Sequence, residues 1–345
     1  MDLSTILILS QDAFTSGAIY ALLSLALILV FGVTRVVFIP QGEFVSYGAL
    51  TLASLQLGVV PGTVWLLLIL ACLAAIMETV RLLLSGAVRK LPRSLAVILG
   101  PPLMIAVLVK VCAPMHLALG WQILLTMLLV MPMGPLIYRV AFRPLADASA
   151  LVLLIAAVAV HFVLVGLGLL FFGAEGVRTP PFSDAQLTLA GLNISGQSLW
   201  VYASSFVFIG LLAWFFSKTL YGKALRAVAF NRNGARLVGI SPDQAGTLSF
   251  ALASIIGCLS GVLIGPITTI YYDSGFLIGL KGFVGAIFGG MASYPLAAAG
   301  AMMVGFSESF SSFWLSGYKD VVVFTMIIPV LLWRSLSTIH YEEEE

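Results

Sequence analysis

Residues 220–242 read LYGKALRAVAFNRNGARLVGISP and interrupt a chain that otherwise consists mostly of long apolar runs. The segment has no acidic side chain and is rich in glycine and alanine. Lys and Arg beside an apolar span are retained on the cytoplasmic side during insertion. The segment therefore predicts a cytoplasmic loop, residues 218–245, around which the spans are oriented. Its basic side chains are Lys223, Arg226, Arg232 and Arg236.

The spacing of apolar residues in this loop predicts short helical segments, with one apolar stripe and the basic side chains on the other side. Because the small side chains allow close backbone approach, we expect the loop to dock into a groove on another protein. Ser241, Pro242 and Asp243 predict a helix start, as N-cap, first helical residue and first-turn acid. The alternative is a basic loop that only sets topology. The predicted stripe consists of Ala224, Val228, Ala235, Leu237, Val238 and Ile240.

The composition is that of a membrane protein. Hydrophobic residues make up 61% of the 345 residues and charged residues 9%, with a mean hydropathy of +1.10. Soluble domains have about 45–50% apolar and about 25% charged residues. The sequence thus predicts an all-α, polytopic helical bundle. The cysteines Cys72, Cys112 and Cys258 lie in apolar runs, so we expect buried thiols rather than metal ligands or disulfides.

About eleven apolar segments are candidates to cross a bilayer that needs about 20 residues per helix. If every basic cluster between them is cytoplasmic, the N-terminus lies outside and the C-terminus inside. We expect the first span to direct insertion without a removable signal peptide. The acidic tail, residues 342–345, is either a solvated terminus or a non-native addition. The predicted spans are residues 14–33, 44–57, 65–84, 95–112, 117–138, 151–172, 200–216, 246–271, 275–290, 297–313 and 321–333.

Residues 173–198 are the polar exception on the opposite side from the basic loop. They contain prolines, Asn193 and the single base Arg178. The composition predicts an external loop, and QLTLAGLNISG at residues 186–196 predicts a short β-hairpin within it.

Several charged or titratable residues fall in or beside the spans, where a charge costs on the order of 2.5–3.5 kcal/mol. Glu43 has two interpretations, a pathway or gating group and a helix-start carboxylate stabilised by the helix dipole. Glu78 and Arg81 are spaced to pair on one helix face. We expect His161 to be a buried, hydrogen-bonded core residue. Lys319 and Asp320 are interpreted as an interfacial anchor pair, and Lys281 and Glu308 also lie in or beside apolar runs.

Gly282, Gly285 and Gly289 recur at helical spacing, which predicts closely packed helices or a helix break in the membrane. Ordinary tight packing is the alternative. The chain lacks the phosphate-binding loop, the nucleophile elbow and the zinc-protease motif. We therefore predict no enzymatic activity and no cofactor in this chain. If ATP drives transport, it must bind a separate subunit.

Five stretches together resemble a known family. They are residues 17–49 (GAIYALLSLALILVFGVTRVVFIPQGEFVSYGA), 139–144 (RVAFRP), 222–241, 279–312 (GLKGFVGAIFGGMASYPLAAAGAMMVGFSESFSS) and 318–324 (YKDVVVF). The chain resembles the permease of Liv-type branched-chain amino acid ABC importers. The resemblance implies a multi-pass protein of the bacterial inner membrane, with a periplasmic N-terminus, a periplasmic loop at residues 173–198 and a cytoplasmic C-terminus.

The resemblance also implies partners. These are a second related permease or a second copy of the chain, two cytoplasmic ATPases that hold ATP and Mg²⁺, and a periplasmic solute-binding protein. Membrane lipid surrounds the chain, and no nucleic acid is expected. The segment seated on an ATPase would be residues 222–241. Its predicted coupling residues are Gly222, Arg226, Asn231, Arg232, Gly234, Ala235, Arg236, Leu237, Gly239 and Ile240.

Two departures from the family pattern are visible. Residues 61–139 have room for three spans where one is usual, which predicts an added transmembrane hairpin at residues 81–138. Pro40 and Gln41 replace small or basic polar residues before Glu43, so urea, short amides and aromatic acids stay possible cargoes beside branched-chain amino acids. The predicted translocation pathway residues are Glu43, Phe44, Tyr47, Lys281 and Phe283.

Two other functions remain open at this point. An ion-gradient-driven transporter or channel would need membrane-embedded acids, for which Glu43, Glu78 and Glu308 are candidates. A structural membrane scaffold leaves the docking-like loop without a role.

Overall fold

The computed structural model describes residues 2–183, 185–189 and 192–338. The acidic tail at residues 342–345 lies outside the described residues. Within them the chain is almost entirely helical. The helices are Leu3–Thr34 (α1), Glu43–Gln56 (α2), Thr63–Leu84 (α3), Leu91–Cys112 (α4), Leu119–Val130 (α5), Met133–Ile137 (α6), Ala150–Phe172 (α7), Gly196–Lys218 (α8), Leu220–Phe230 (α9), Arg232–Leu237 (α10), Pro242–Ile264 (α11), Ser274–Phe288 (α12), Tyr294–Trp314 (α13), Lys319–Thr325 (α14) and Ile327–Thr338 (α15).

The prediction of an all-helical membrane bundle is confirmed. In the described part of the chain, eight helical segments are long and apolar enough to cross a bilayer. Helix α12 is apolar but has only 15 residues, and α2 has 14. The predicted number of about eleven spans therefore stays a prediction, because it counts such short helices as crossings.

Helix α1 is the centre of the bundle. It is buried almost continuously from Tyr20 to Val30 and packs against α11, α12 and α13. A helix that is apolar all round belongs in a core, where other helices cover every face. Helix α11 continues this core by packing along both α1 and α2.

Small residues bring these helices into backbone contact. A Cβ added at Gly261 of α11 would overlap the Val45 carbonyl oxygen, and one added at Gly48 of α2 would lie 2.5 Å from the Cys258 carbonyl oxygen. Without a hydrophobic driving force between helices in lipid, close packing of this kind supplies much of the association energy. The α2–α11 interface therefore depends on glycine at these positions.

Gly261→Ala is expected to lower the stability of the folded protein by about 1–3 kcal/mol, the usual effect of overpacking a core. The matched control is Gly210→Ala in α8, where an added Cβ meets no atom within 4 Å. Ala is a better helix former than Gly, so the control should leave the stability equal or slightly higher. The midpoint of thermal unfolding of the purified variants checks both values. Equal midpoints for the two variants would contradict the backbone contact.

The segment at residues 173–198 folds back on the connection between α11 and α12. The predicted hairpin is confirmed, with strands Gln186–Leu189 (β1) and Leu192–Ser195 (β2) pairing antiparallel. Val177 forms an antiparallel bridge with Ile270, and Arg178 Nε donates to the Pro266 carbonyl oxygen at 3.0 Å. This segment therefore contacts the connection at Gly265, Pro266 and Ile270.

The two helices of the predicted added hairpin have different surroundings. Helix α4 packs mainly on α3 and presents most of its other side outward. Helix α5 packs against α2 and α11 and buries Leu125 and Leu129. Among the cysteines, Cys258 is buried and Cys112 half-buried, but the prediction of a buried thiol is wrong for Cys72 because it lies on the outer face of α3.

Candidate functional site

The basic loop folds as two short helices, α9 and α10, which we call the elbow (residues 220–240). Thr219 caps α9 by accepting from the Gly222 amide at 3.0 Å, and Asn231 caps α10 by accepting from the Gly234 amide at 2.9 Å. Gly239 has φ +85°, a left-handed conformation that favours glycine and turns the chain into α11. Thr219, Asn231 and Gly239 thus each set the start or the end of a helix.

The predicted start of α11 is confirmed. The Ser241 hydroxyl accepts from the Gln244 amide at 3.4 Å, Pro242 occupies the first turn without needing an amide donor, and Asp243 is the first-turn acid. The elbow therefore joins the bundle through a capped helix end.

The inner face of the elbow anchors it to the bundle. Leu225, Val228 and Ala235 are buried in a small apolar cluster with Leu29 and Val33 of α1. A Cβ at Gly222 would overlap the Phe215 carbonyl oxygen, so α9 folds tightly against the end of α8. Ile240 and Ala245 extend this cluster into α11. The elbow is thus in direct contact with both central helices.

The outer face of the elbow is apolar and uncovered. Phe230 is 93% exposed, Leu237 88% and Val238 74%. The sequence prediction placed Leu237 and Val238 on one stripe with Val228 and Ala235, which is wrong. The helix breaks at Asn231, so the apolar period does not continue from α9 into α10. As a result, these two side chains point away from the buried stripe.

The bases of the elbow divide between structure and surface. Arg232 Nη1 donates to the Ala146 carbonyl oxygen at 2.8 Å, which ties the elbow to the turn after α6. Lys223, Arg226 and Arg236 are exposed. These three bases place positive charge on the surface of the elbow, whereas Arg232 fixes the elbow against the turn after α6.

A chain of ion pairs fixes the helix that follows the elbow. Arg143 Nε lies 2.9 Å from Asp243 Oδ1, and Arg143 Nη1 lies 3.7 Å from Glu78 Oε2. The predicted Glu78–Arg81 pair is confirmed at 3.5 Å. These contacts connect α3, the turn after α6 and the first turn of α11.

A second site lies where the chain breaks between α1 and α2. Residues 39–42 form a 3₁₀ turn, and a Cβ at Gly42 would overlap the Gly275 carbonyl oxygen of α12. Ser46 Oγ accepts from the Gly275 amide at 2.7 Å and donates to the Tyr271 carbonyl oxygen at 3.2 Å. Irregular backbone at membrane depth is tolerated where protein covers it. Here α12 provides that cover.

Glu43, the first residue of α2, is only 1% exposed. Its Oε1 lies 2.9 Å from Nδ1 of His161 on α7. The His161 ring packs on Phe276 of α12, with ring centroids 4.5 Å apart. The prediction that His161 is a buried, hydrogen-bonded residue is confirmed. Glu43 and His161 thus join three helices at the break.

An apolar cavity of about 330 Å³ lies beside this break. Leu154 precedes His161 by two helical turns on α7, and Gly279 and Leu280 follow Phe276 by one turn on α12. The Glu43–His161 pair is carried by neighbouring parts of the chain but is not among the lining residues. The cavity is lined by Leu27, Val37, Phe38, Ile39, Leu154, Gly279, Leu280 and Phe283.

A model of the family described as branched-chain amino acid transport system, permease component, matches residues 90–331. This chain belongs to that permease family. The match extends from the start of α4 into α15 and includes the elbow and α12. The family resemblance stated from the sequence is confirmed.

The permease is similar to named relatives over part of its length. It is 32% identical over 203 residues to the high-affinity branched-chain amino acid transport system permease protein LivH of Escherichia coli K12, covering 57% of this chain and 66% of that protein. It is 30% identical over 219 residues to BraD of Pseudomonas aeruginosa, covering 61% of this chain and 71% of BraD. The autoinducer 2 import system permease protein LsrC of Shigella flexneri is 25% identical over 142 residues, covering 40% of this chain and 39% of LsrC. No solved structure gives a significant match.

The predicted pathway residues of the permease occupy different environments. Phe283 lines the cavity, whereas Glu43 is buried against His161 and is not among the lining residues. Phe44 is fully buried against Phe38, with ring centroids 5.9 Å apart, and the Tyr47 hydroxyl donates to the Leu164 carbonyl oxygen at 2.6 Å. Their place in a pathway stays a prediction.

Lys281, the fifth predicted pathway residue, belongs to a partly buried ion cluster. Its Nζ lies 2.5 Å from Glu308 Oε1 and 3.0 Å from Asp320 Oδ1, and the Tyr20 hydroxyl donates to Glu308 Oε2. Asp320 pairs with Lys281, and Lys319 Nζ lies 4.0 Å from Glu308, so both residues have partners on other helices. Their interpretation as interfacial anchors stays a prediction. This cluster fixes α14 on α1, α12 and α13.

Sequence reasoning missed three residues of the second site. Phe38 is a fully buried aromatic centre that contacts Phe44, Phe142 and Phe250, and Phe276 supports His161. Gln41 is fully buried, with its side-chain nitrogen donating to the Ala253 carbonyl oxygen at 2.9 Å. Pro40 and Gly42 flank Gln41, and these two residue types in the sequence indicate a turn at this position.

A larger groove of about 680 Å³ lies between α1, α8 and α13. Its lining is nearly all apolar, with Phe14, Phe206 and Met302 among its side chains. It has no charged lining residue, so it suits hydrocarbon better than a solute with ionic groups.

Proposed function

We propose that this permease moves branched-chain amino acids, or a related small solute such as an amide, urea or an aromatic acid, from the periplasm to the cytoplasm. ATP hydrolysis in partner subunits would drive the movement. The observation that carries the proposal is the elbow, which is anchored on its inner face and apolar and uncovered at Phe230, Leu237 and Val238. Three large apolar side chains exposed beside bases are typical of a binding surface for another protein.

The contacts of the elbow provide a mechanical route into the bundle. Val228 and Leu225 pack on α1, and the elbow continues directly into α11. A partner that binds the elbow differently in two nucleotide states would shift α1 and α11 together, because only differential binding shifts a conformational equilibrium. Both helices contact the break at residues 39–42. Movement at the elbow would therefore change the packing around the cavity.

The cavity has the properties needed for a small, largely aliphatic solute. Its volume of about 330 Å³ is at the lower end of the usual range for small-molecule sites, about 300–1,000 Å³. Its lining is apolar. We infer that the cavity receives the aliphatic part of the solute and that Glu43 acts in the pathway through its contact with His161 at the break between α1 and α2.

The remaining parts of the proposal follow from family membership and from the charge pattern. The N-terminus would be periplasmic and the C-terminus cytoplasmic, in the bacterial inner membrane. A second permease or a second copy of this chain, two ATPases holding ATP and Mg²⁺, and a periplasmic solute-binding protein would complete the transporter. Residues 173–198 would face that binding protein.

The alternative of an ion-gradient-driven transporter has less support. It would use membrane-embedded acids, yet Glu43 contacts His161, Glu78 contacts Arg143 and Glu308 contacts Lys281. Each of the three acids thus has a basic or imidazole partner on another part of the chain. Such pairs stabilise a bundle and leave these carboxylates less available for a travelling cation.

The test is uptake by proteoliposomes that contain the permease with or without its co-purifying subunits. Uptake of a radiolabelled branched-chain amino acid should require ATP, the ATPases and the solute-binding protein. A binding assay on that solute-binding protein selects the cargo to be used. Uptake by the permease alone, driven by a proton or sodium gradient, would reject the proposal.

A further inference from the structure

The connection between α3 and α4 carries a basic cluster (Arg81, Arg89, Lys90 and Arg93) that the proposed transport cycle does not use. All four side chains are exposed, and no acid lies between residues 81 and 93. Arg81 lies 3.5 Å from Glu78, which is also shared with Arg143 at 3.7 Å. In the described part of the chain, Arg89, Lys90 and Arg93 have no acidic partner within ion-pair distance. Three positive charges are thus left uncompensated at one end of a helix pair.

An apolar surface begins directly beside these bases. Leu84, in the last turn of α3, is 84% exposed, and Leu83 and Val88 are also exposed. The outer faces of the two packed helices continue this surface, with Ile76 on α3 and Met104 on α4. The arrangement joins positive charge at the end of the helices to hydrocarbon along their length.

We propose that the basic cluster binds the phosphate of an anionic phospholipid, whose acyl chains lie along the outer faces of α3 and α4. Clusters of Lys and Arg at the end of a membrane helix attract anionic headgroups, and each base strengthens binding about fivefold. Arginine adds specificity because its guanidinium forms two parallel hydrogen bonds to phosphate oxygens. A soluble phosphate would use only the basic half of this surface.

A bound lipid would stabilise the packing of α4 on α3. Helix α4 packs mainly on α3, and its other side is apolar and uncovered. A lipid held at the turn would contact both helices and would oppose their separation. Because it concerns only the outer surface of α3 and α4, the inference is independent of the cargo and of the energy source.

The experiment is a titration of the full-length permease in detergent with phosphatidylglycerol, followed by native mass spectrometry. The variant is Arg89→Gln with Lys90→Gln and Arg93→Gln. The control is Lys218→Gln with Lys223→Gln and Arg226→Gln, which removes three exposed bases from the other basic region. We expect the variant to bind phosphatidylglycerol about a hundredfold more weakly, the product of three fivefold losses. The control should bind it like the wild type.

Two further measurements show whether binding depends on the anionic headgroup and on the acyl chains. Phosphatidylcholine should bind equally weakly to all three proteins, and glycerol phosphate at the same concentration should not displace phosphatidylglycerol. Phosphatidylglycerol binding that survives in the variant, or that falls equally in the control, overturns the proposal. Displacement by glycerol phosphate alone also overturns it, since the site would then need no acyl chain. Unchanged thermal unfolding midpoints without lipid establish that the variants are folded.

Discussion

Phe230→Ser together with Leu237→Ser is expected to abolish ATP-driven uptake while the permease still inserts and folds. Both side chains are almost fully exposed, so their removal leaves the bundle intact. Burying a side chain of this size in an interface stabilises it by about 1.5–3 kcal/mol. Losing two should weaken the association with the ATPases by more than a hundredfold. Uptake into proteoliposomes and co-purification of the ATPases measure the two effects.

The matched control for this experiment is Asn233→Ser, a change at an exposed polar residue of α10 between the two sites. It alters the same short helix without removing apolar surface, so uptake should stay at the wild-type rate. Asn231 is unsuitable because it caps α10. Normal uptake by the double variant, with the ATPases still bound, would show that the outer face is not the docking surface. Equal loss in the control would point to damage of the elbow itself.

Glu43→Gln is expected to reduce uptake of a branched-chain amino acid about tenfold to a hundredfold. The substitution keeps the shape of the side chain and its ability to accept a hydrogen bond from His161, but it removes the negative charge. A hydrogen bond to a charged group contributes about 1.5–3 kcal/mol, and each 1.4 kcal/mol corresponds to a factor of ten. The initial rate of uptake at saturating solute-binding protein is the measurement, with ATP hydrolysis recorded in parallel.

The control for Glu43 is Thr51→Val with Thr63→Val. These hydroxyls form a fully buried hydrogen bond of 2.8 Å between α2 and α3, so the pair also connects α2 to a neighbour but carries no charge. Uptake by the double variant should stay near the wild-type rate. If Glu43→Gln retains full uptake activity, Glu43 has no role in the pathway, and its interpretation as a helix-start carboxylate is the one that stays.

Much of the fold could be predicted because its signals are local. The helix start at Ser241, the hairpin at residues 186–196 and the apolar spans follow from caps, turn residues and run lengths that need no knowledge of distant contacts. The Glu78–Arg81 pair also lies within one helix turn. The helix start, the hairpin and the Glu78–Arg81 pair are confirmed, whereas the number of spans stays a prediction.

The site was harder to predict because it depends on which distant elements meet. The outward orientation of Leu237 follows from a break at Asn231 and from the packing of α9 on α1, neither of which the apolar spacing encodes. The partner of Lys281 comes from α13 and α14 instead of its own helix. His161 was correctly expected to be hydrogen-bonded, but its partner Glu43 is 118 residues away in the chain.

The contact between Ser46 and Gly275 has a consequence for biosynthesis. The two residues are separated by 229 positions, yet each satisfies a polar group of the other's segment. At about 5–20 residues per second, the ribosome needs roughly 10–45 seconds to deliver Gly275 after Ser46 has emerged. Throughout that interval the polar turn at residues 39–42 has no α12 to cover it. We therefore expect the nascent chain of this permease to be sheltered by the insertion machinery until α12 has been synthesised.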